Sequence, residues 1–517
     1  MAKTGMSKLI KDISRRFSTA LAHRASSQWH EPYGGLPLAR NKPGLPAVGE
    51  SIPELALPDE LVLPLLDYNK QRVETHLQAG ARVSVGDVLA PGVLAPASGV
   101  ISAIEPRAVI HPSYQPSQCI VINVDQAADQ NPSCLPAMKE LSFERIERAG
   151  IKGLGGAGFD TASKLMAATD HKNTIKTLLV NAVECEPQIS CDEALIRSDA
   201  HIIITAIHAM IELTSCERCI VAIEDDKTEA IAELERVLAI GAKSGSTTVP
   251  VELALLSAVY PSGAEKVLLQ RIFGTLPQAD QRASDLRVVC LNVATILAAW
   301  QAQSGHPMLS RIVTVAGKNP RNVRVRFGTS VMHLLQQTNN IASNGKSRVR
   351  AGGPLSGFDL KTLFVPISAN VNCITVESNP QQSIASACIR CSQCSDVCPV
   401  DLLPQQIFQH ASANDIPGAL HFGLDACIEC GCCDVVCPAS IELTATFRHT
   451  RSAWMEQHRQ KAAAELARQR FVQHEARLSE REREAQQIRE QKKSQLISAD
   501  DAIAQALARS RARKKRV

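Results

Sequence analysis

The chain has 517 residues, 45% hydrophobic and 21% charged, long enough for three or four domains with sizeable cores and too apolar for wholesale disorder. Aromatic residues are only 3%, which disfavours a base-stacking nucleic-acid surface. The formal charge of +4 conceals a split: residues 448–517 carry 18 basic and 9 acidic side chains, net +9, against 38 and 43, net −5, elsewhere. No run of 18 apolar residues predicts a membrane-spanning helix, and the basic N-terminus lacks the apolar stretch of a secretory signal. The 17 cysteines are therefore expected in a reducing compartment, where clustered thiols bind metal.

Residues 1–30 read as a basic arm. Leu9, Ile13, Phe17 and Leu21 recur every four residues among Lys3, Lys8, Lys11, Arg15, Arg16 and Arg24. That stripe fits a frayed arm, a short helix on an anionic membrane or partner, or a transit segment. Residues 31–135 are rich in Pro and Gly, with short β-prone runs such as 120–124, and predict a small β barrel or sandwich. From 136 to 307 helix and strand alternate. A helix over 142–149 precedes a Gly-rich loop; a second helix and an apolar strand over 175–182 follow, with further strands over 220–224 and 288–291. This is the pattern of an α/β domain. Residues 308–380 predict a small α+β module, with strands over 312–315, 323–325 and 363–367 around a helix near 331–337. Residues 381–447 hold a cysteine cluster. Residues 448–517 are a charged extension, a helix over 452–493 with pairs such as Glu465–Arg468, or a disordered tail.

The cysteines carry the clearest chemistry. Cys388, Cys391, Cys394 and Cys398-Pro399 follow the spacing C-x2-C-x2-C-x3-C-P, and Cys427, Cys430, Cys433 and Cys437-Pro438 repeat it. Three thiolates at i, i+3 and i+6 wrap three irons of one cubane, and the fourth, turned away before its proline, ligates the other cluster. The expected sets are Cys388, Cys391, Cys394 and Cys437 for one [4Fe–4S] cluster and Cys427, Cys430, Cys433 and Cys398 for a second. Zinc sites usually pair two distant C-x2-C units and do not repeat this run. Helical patterns over 404–412 and 416–422 between the copies suggest a helical ferredoxin module. Cys432 has no place in either set and reads as structural. Cys216 and Cys219 form another C-x2-C, without partners, and read as a chance arrangement.

Clusters pass single electrons, so a two-electron donor such as NADH needs a flavin between. The stretch Gly153-Leu-Gly-Gly-Ala-Gly158-Phe159 permits close backbone approach to a phosphate. It lies between two helices, not after a strand, which argues against a Rossmann fingerprint. Asp160 or Thr161 would cap the second helix, and Lys164 could add charge to a phosphate. Asn181-Ala-Val-Glu184-Cys185-Glu186-Pro187 follows a buried strand, where open α/β sheets bind ligands. The segments from Tyr260 to Lys266 and from Asn292 to Thr295 obey the same strand-to-loop logic.

These segments together resemble the flavin- and NADH-binding subunit of respiratory complex I. From about Gly34 to Leu443 the chain resembles more closely the C subunits of Rnf-type ion-translocating electron transport complexes. The match includes Gly34-Gly-Leu, Asn41-Lys42, a biotinyl-like sandwich over 60–105, Ile223-Glu-Asp, Gly317, Gly352-Gly-Pro, Asn372-Cys373 and both cysteine motifs. The resemblance implies a barrel/sandwich hybrid, an α/β flavin domain, a soluble-ligand-binding β-grasp and a helical dicluster ferredoxin domain, followed by the charged extension. It implies FMN held by Gly153, Gly155, Gly156, Gly158, Lys164, Asn181, Glu184 and Asn292, and NAD(H) near Phe159 and Glu186. It also implies integral membrane and ferredoxin-like partner subunits, and a peripheral place on the cytoplasmic face of a bacterial inner membrane. Asp160 stands where the family carries Pro, Pro37-Leu-Ala where it carries His-Pro-Pro, and a usual Lys before Asn372 is absent.

Overall fold

The computed structural model describes residues 29–66, 72–128, 130, 136–156, 158–169, 175–244, 249–278, 281–341, 347–378 and 384–514. The stripe at 9–21 lies outside the described residues. The chain divides into two compact units, Met1–Thr450 and Arg451–Val517.

The Pro- and Gly-rich region folds into antiparallel β-structure. One sheet runs Glu60–Pro64, Ser117–Val124, Gly99–Arg107, Arg82–Val83, and a small hairpin pairs Val88–Ala90 with Val93–Leu94. Alternating residues Leu61, Leu63, Ile101, Ile120 and Ile122 meet on one face and form its core. Strand Leu36–Pro37 leaves this region and pairs with Val259–Tyr260.

The α/β region holds a four-stranded parallel sheet in the order Val251–Leu256, Arg218–Glu224, Thr177–Asn181, Val288–Asn292. The expected strands are present; Val251–Leu256 is an additional edge strand. Continuous apolar runs mark the inner strands because helices cover the sheet. The 24-residue helix Cys191–Thr214 is long and apolar enough to cross a membrane by composition alone. It instead buries Ile203, Ile207 and Met210 in the core of this domain. Helix Phe143–Arg148 starts where Ser142 accepts the Arg145 N–H at 3.2 Å.

The next module is a mixed five-stranded sheet, ordered Arg321–Arg326, Ser310–Ala316, Cys373–Ser378, Ser347–Ala351, Phe358–Asp359, with helix Val331–Gln337 capped by Ser330. Here the expectation over 363–367 fails. That run makes one isolated bridge, Ser330 to Pro366, because Pro366 has no N–H to give a ladder. The central pair is Ser310–Ala316 with Cys373–Ser378, in parallel register.

The cysteine region is helical, with Gln393–Asp396, Pro404–Ser412, Ile416–His421 and Cys432–Val435 around a core of Ile407, Ala419, Leu424 and Phe447. Helix Leu443–Lys514 runs through the charged extension, beyond the 452–493 span expected for it. In the second unit every described side chain from 457 onward is exposed.

Candidate functional site

The parallel sheet brings two asparagines side by side at its C-terminal edge: Asn181 and Asn292 are register partners on adjacent strands. Asn292 accepts the Ala294 N–H at 3.0 Å and so caps helix Val293–Gln303. Its amide donates to Asp192 at 2.6 Å. Asn181 donates to the Gly263 carbonyl at 2.9 Å and accepts the Val183 N–H at 3.0 Å, tying the strand end to the 260–265 loop.

The glycine loop lies against this edge. Gly153 N–H donates to the Phe159 carbonyl at 2.7 Å, and the Leu154 N–H donates to the Thr295 hydroxyl at 2.9 Å. A Cβ on Gly155 would sit 3.3 Å from that of Asn292, so a side chain there crowds the loop. Gly156 and Gly158 have φ of +103° and +65°, and Gly156 faces open space. Asp160 accepts the Ser163 N–H at 2.7 Å and caps helix Thr161–Thr169. The residue that departs from the family pattern thus has a local task. Phe159 is 37% exposed beside the loop.

The remaining expected contacts are engaged within the chain. The Lys164 ammonium pairs with Glu265 at 2.6 Å. Glu184 turns inward, where one oxygen accepts the Asp192 N–H at 3.1 Å and the Cys191 thiol at 3.2 Å. Its other oxygen accepts the Glu193 N–H at 3.4 Å, so Glu184 caps helix Cys191–Thr214 from outside. Glu186 accepts the Leu355 and Ser356 N–H groups at 2.9 and 2.8 Å and the Ser356 hydroxyl at 2.5 Å. Gly353 has no room for a Cβ, which would meet the Glu186 carboxyl at 2.4 Å. Glu186 is thus a latch between the 181–187 loop and the 352–357 loop.

Three residues outside the expected set shape this site. Lys42 donates to the carbonyls of Glu184, Glu186 and Ile189, pinning that loop. Arg311, buried, donates to the carbonyls of Leu154 at 3.1 Å and of Ala369, joining the glycine loop to the β-grasp module. Asp192 is buried beside Glu184, and burial first, then that neighbouring carboxylate, pushes its carboxyl up to about 7. Burial works against the Glu224 carboxylate, but Lys227 at 2.7 Å outweighs it and holds Glu224 below its usual range. No local motif announces Asp192 or Arg311, because their partners lie 100 and 157 residues away.

The cysteine motifs interlock. Cys398 from the first copy and Cys427, Cys430 and Cys433 from the second line one small cavity, with Pro399, Ile407 and Phe447. Four thiols around one largely apolar cavity are a donor set that fits an iron–sulfur cubane. The neighbouring thiol of Cys432 and then burial raise Cys430, and burial raises Cys398 and Cys433, so a metal must displace their protons. Of the other set, Cys388 and Cys391 are exposed, and Cys394 and Cys437 half-buried. Cys432 is buried against Leu36 and Tyr260. Cys216 and Cys219 are buried in the α/β core, away from this chemistry.

One face joins the two halves of the site. The Tyr260 hydroxyl donates to the Cys430 carbonyl at 2.5 Å, and the Gly35 N–H donates to the Val397 carbonyl at 2.9 Å. Gly34 lies so close to Cys398 that a Cβ would approach its carbonyl oxygen to 2.8 Å. Gly431, at φ +77°, lies under the Leu355 carbonyl. Arg448 donates to Ser356 at 2.6 Å and pairs with Glu429 at 3.1 Å. The cysteine region is therefore joined to the α/β domain through Tyr260 and to the 352–357 loop, which Glu186 latches, through Gly431 and Arg448.

The fold and this geometry define a flavin and iron–sulfur protein. The Nuo51 FMN-binding domain family matches residues 146–301, the RnfC barrel sandwich hybrid domain 33–127, and a 4Fe-4S dicluster domain 387–441. The chain is 36% identical over 484 residues to the C subunit of the ion-translocating oxidoreductase complex of Vibrio cholerae serotype O1, covering 89% of this chain and 61% of the relative. It is 37% identical over 451 residues to that of Yersinia pestis bv. Antiqua, covering 84% and 71%. The chain belongs to this family, the C subunits of ion-translocating oxidoreductase complexes. It spans about three-fifths of the length of the Vibrio relatives it matches. A chain of an NAD+-reducing [NiFe]-hydrogenase in the H2-reduced state aligns with a TM-score of 0.43 at 15% identity, covering 62% of this chain and 61% of that one.

Proposed function

We propose that this chain is the NAD(H)-linked electron-transfer subunit of a membrane-bound complex that couples electron flow between NAD(H) and ferredoxin-type carriers to ion translocation. When bound, FMN takes up electrons as a hydride pair and releases them singly, and the clusters carry them one at a time. The glycine loop offers backbone amides and left-handed glycines to a phosphate. Asn181 and Asn292 frame the strand edge beside it, Lys42 and Arg311 fix the loops on either side, and Phe159 offers a ring for stacking a nicotinamide. Asp192 holds a proton beside Asn292 near neutral pH. Cys398, Cys427, Cys430 and Cys433 would hold the cluster nearer the flavin. Cys388, Cys391, Cys394 and Cys437 would hold one at the exposed end, toward a ferredoxin-like or integral membrane partner. The peripheral position on the cytoplasmic side of the inner membrane belongs to the same reading.

The observation that carries it is the cavity in which thiols of both motifs meet, joined to the flavin-type domain through Tyr260. The test is anaerobic reconstitution of the purified chain, with iron and flavin counted in one sample. About eight irons per chain and two reducible cluster signals by electron paramagnetic resonance are expected. Zinc at these positions, or reduced protein without a cluster signal, overturns the reading.

A further inference from the structure

None of the residues named above for the flavin or cluster chemistry lies beyond Thr450, and the side chains of the helix there are not uniformly polar. Leu496, Ile503 and Leu507 are 68%, 58% and 55% exposed. Spaced by seven and four residues, they share one helix face with Ala499, Ala506 and a single acid, Asp500, a stripe about 16 Å long. Cations bracket that face. Arg489 and Lys493 precede Leu496 by seven and three residues, and Arg511 follows Leu507 by four. From 509 to 516 the sequence holds six cations and no acid.

We propose that this face, with its apolar stripe and flanking Arg489, Lys493 and Arg511, docks on the surface of an anionic lipid bilayer. A helix lying in the interface sinks its apolar stripe to the acyl boundary. Its Arg and Lys stems reach up to the headgroups. Both features of the face are used at once. A second copy of the chain is a poorer occupant: the Leu-Ala-Ile-Ala seam is thin, and parallel pairing sets the 509–516 cations against one another within a screening length. A nucleic acid would engage the cations and leave the three large apolar side chains in water. The inference depends on neither the flavin nor the clusters.

The test is flotation of the full chain with phosphatidylglycerol-containing vesicles and with pure phosphatidylcholine vesicles. Binding is expected only to the anionic vesicles and is expected to fall with salt. Each lost cation is worth about fivefold in partition, so R489E/K493E/R511E weakens binding on the order of a hundredfold. I503E/L507E, on a solvent-exposed face, is expected to weaken it about tenfold or more while leaving circular dichroism unchanged. Ile503→Trp adds a reading of depth: its emission shifts to the blue on anionic vesicles alone. Four results overturn the proposal. They are I503E/L507E floating like the parent, equal binding to neutral vesicles, no blue shift, or duplex DNA outcompeting the anionic vesicles. A dimer that I503E/L507E dissociates, in a chain that does not float, also overturns it and assigns the face to a second copy.

Discussion

Asp192 is where a single carboxyl does most to couple pH to this fold. Its pKa rises to about 7, chiefly from burial and then from Glu184, against an ordinary value near 4. Between those limits the folded state keeps a proton that the unfolded chain releases, so stability falls as pH rises through the window. Asp192→Asn keeps an oxygen for the Asn292 amide and cannot ionise. It is expected to gain on the order of 2–4 kcal/mol at pH 8 relative to the parent and nothing at pH 4. Denaturant midpoints measured for both proteins across this range check it; parallel curves refute it. Gly431 is the second exacting residue. A side chain there must adopt φ +77° and also meet the Leu355 carbonyl at 2.6 Å. Gly431→Ala therefore has to move the Cys427–Cys433 turn, with strain of about 1–3 kcal/mol. The expected outcome is a reconstituted protein holding about half its iron, with the signal of one cluster lost and the other kept.

Strands and helices show how far local pattern carries and where it stops. The parallel strands Thr177–Asn181 and Val288–Asn292 are unbroken apolar runs ending in polar residues, and the helix starts at Ser142, Asn292 and Ser330 carry capping side chains. Such elements declare themselves within a few residues. The β-grasp sheet does not: Ser347–Ala351 reads Ser-Arg-Val-Arg-Ala, a strand chosen by its neighbours, while the more apolar 363–367 is excluded by Pro366. The cysteine spacings disclosed the thiols that meet in one cavity because ligand geometry is local. The Glu186 latch and the Arg311 tie were hidden because each closes a contact between distant elements. Strand Val259–Tyr260 shows the consequence at this scale. It pairs with Leu36–Pro37 and aims the Tyr260 hydroxyl at Cys430. Tyr260→Phe keeps the ring and leaves a part-buried carbonyl without this donor, a loss of about 1 kcal/mol. Iron content is expected to hold while the paramagnetic line shape of one cluster changes; an unchanged spectrum argues that the hydrogen bond does not reach the cluster.

At the scale of the whole molecule, the mildly acidic body and the basic extension are separate compact units, and each proposed activity is assigned to one of them. Among the described residues, those that line the thiol cavity end at Phe447 and Arg448 closes the latch, all within the first unit. A chain ending at Thr450 is therefore expected to fold, to bind FMN, and to take up about eight irons like the full chain. It should lose affinity for anionic vesicles. Cys391→Ala and Cys430→Ala make the opposite cut, because each removes a proposed ligand while leaving the helix over 451–514 untouched; vesicle flotation should persist and cluster signals should fall. The two kinds of variant, measured by the same iron counts and the same flotation assay, form a double dissociation. If the truncated chain loses its clusters, the extension is part of the redox unit. If Cys430→Ala abolishes flotation, the lipid-facing helix depends on the cluster module, and the division of labour between the units fails.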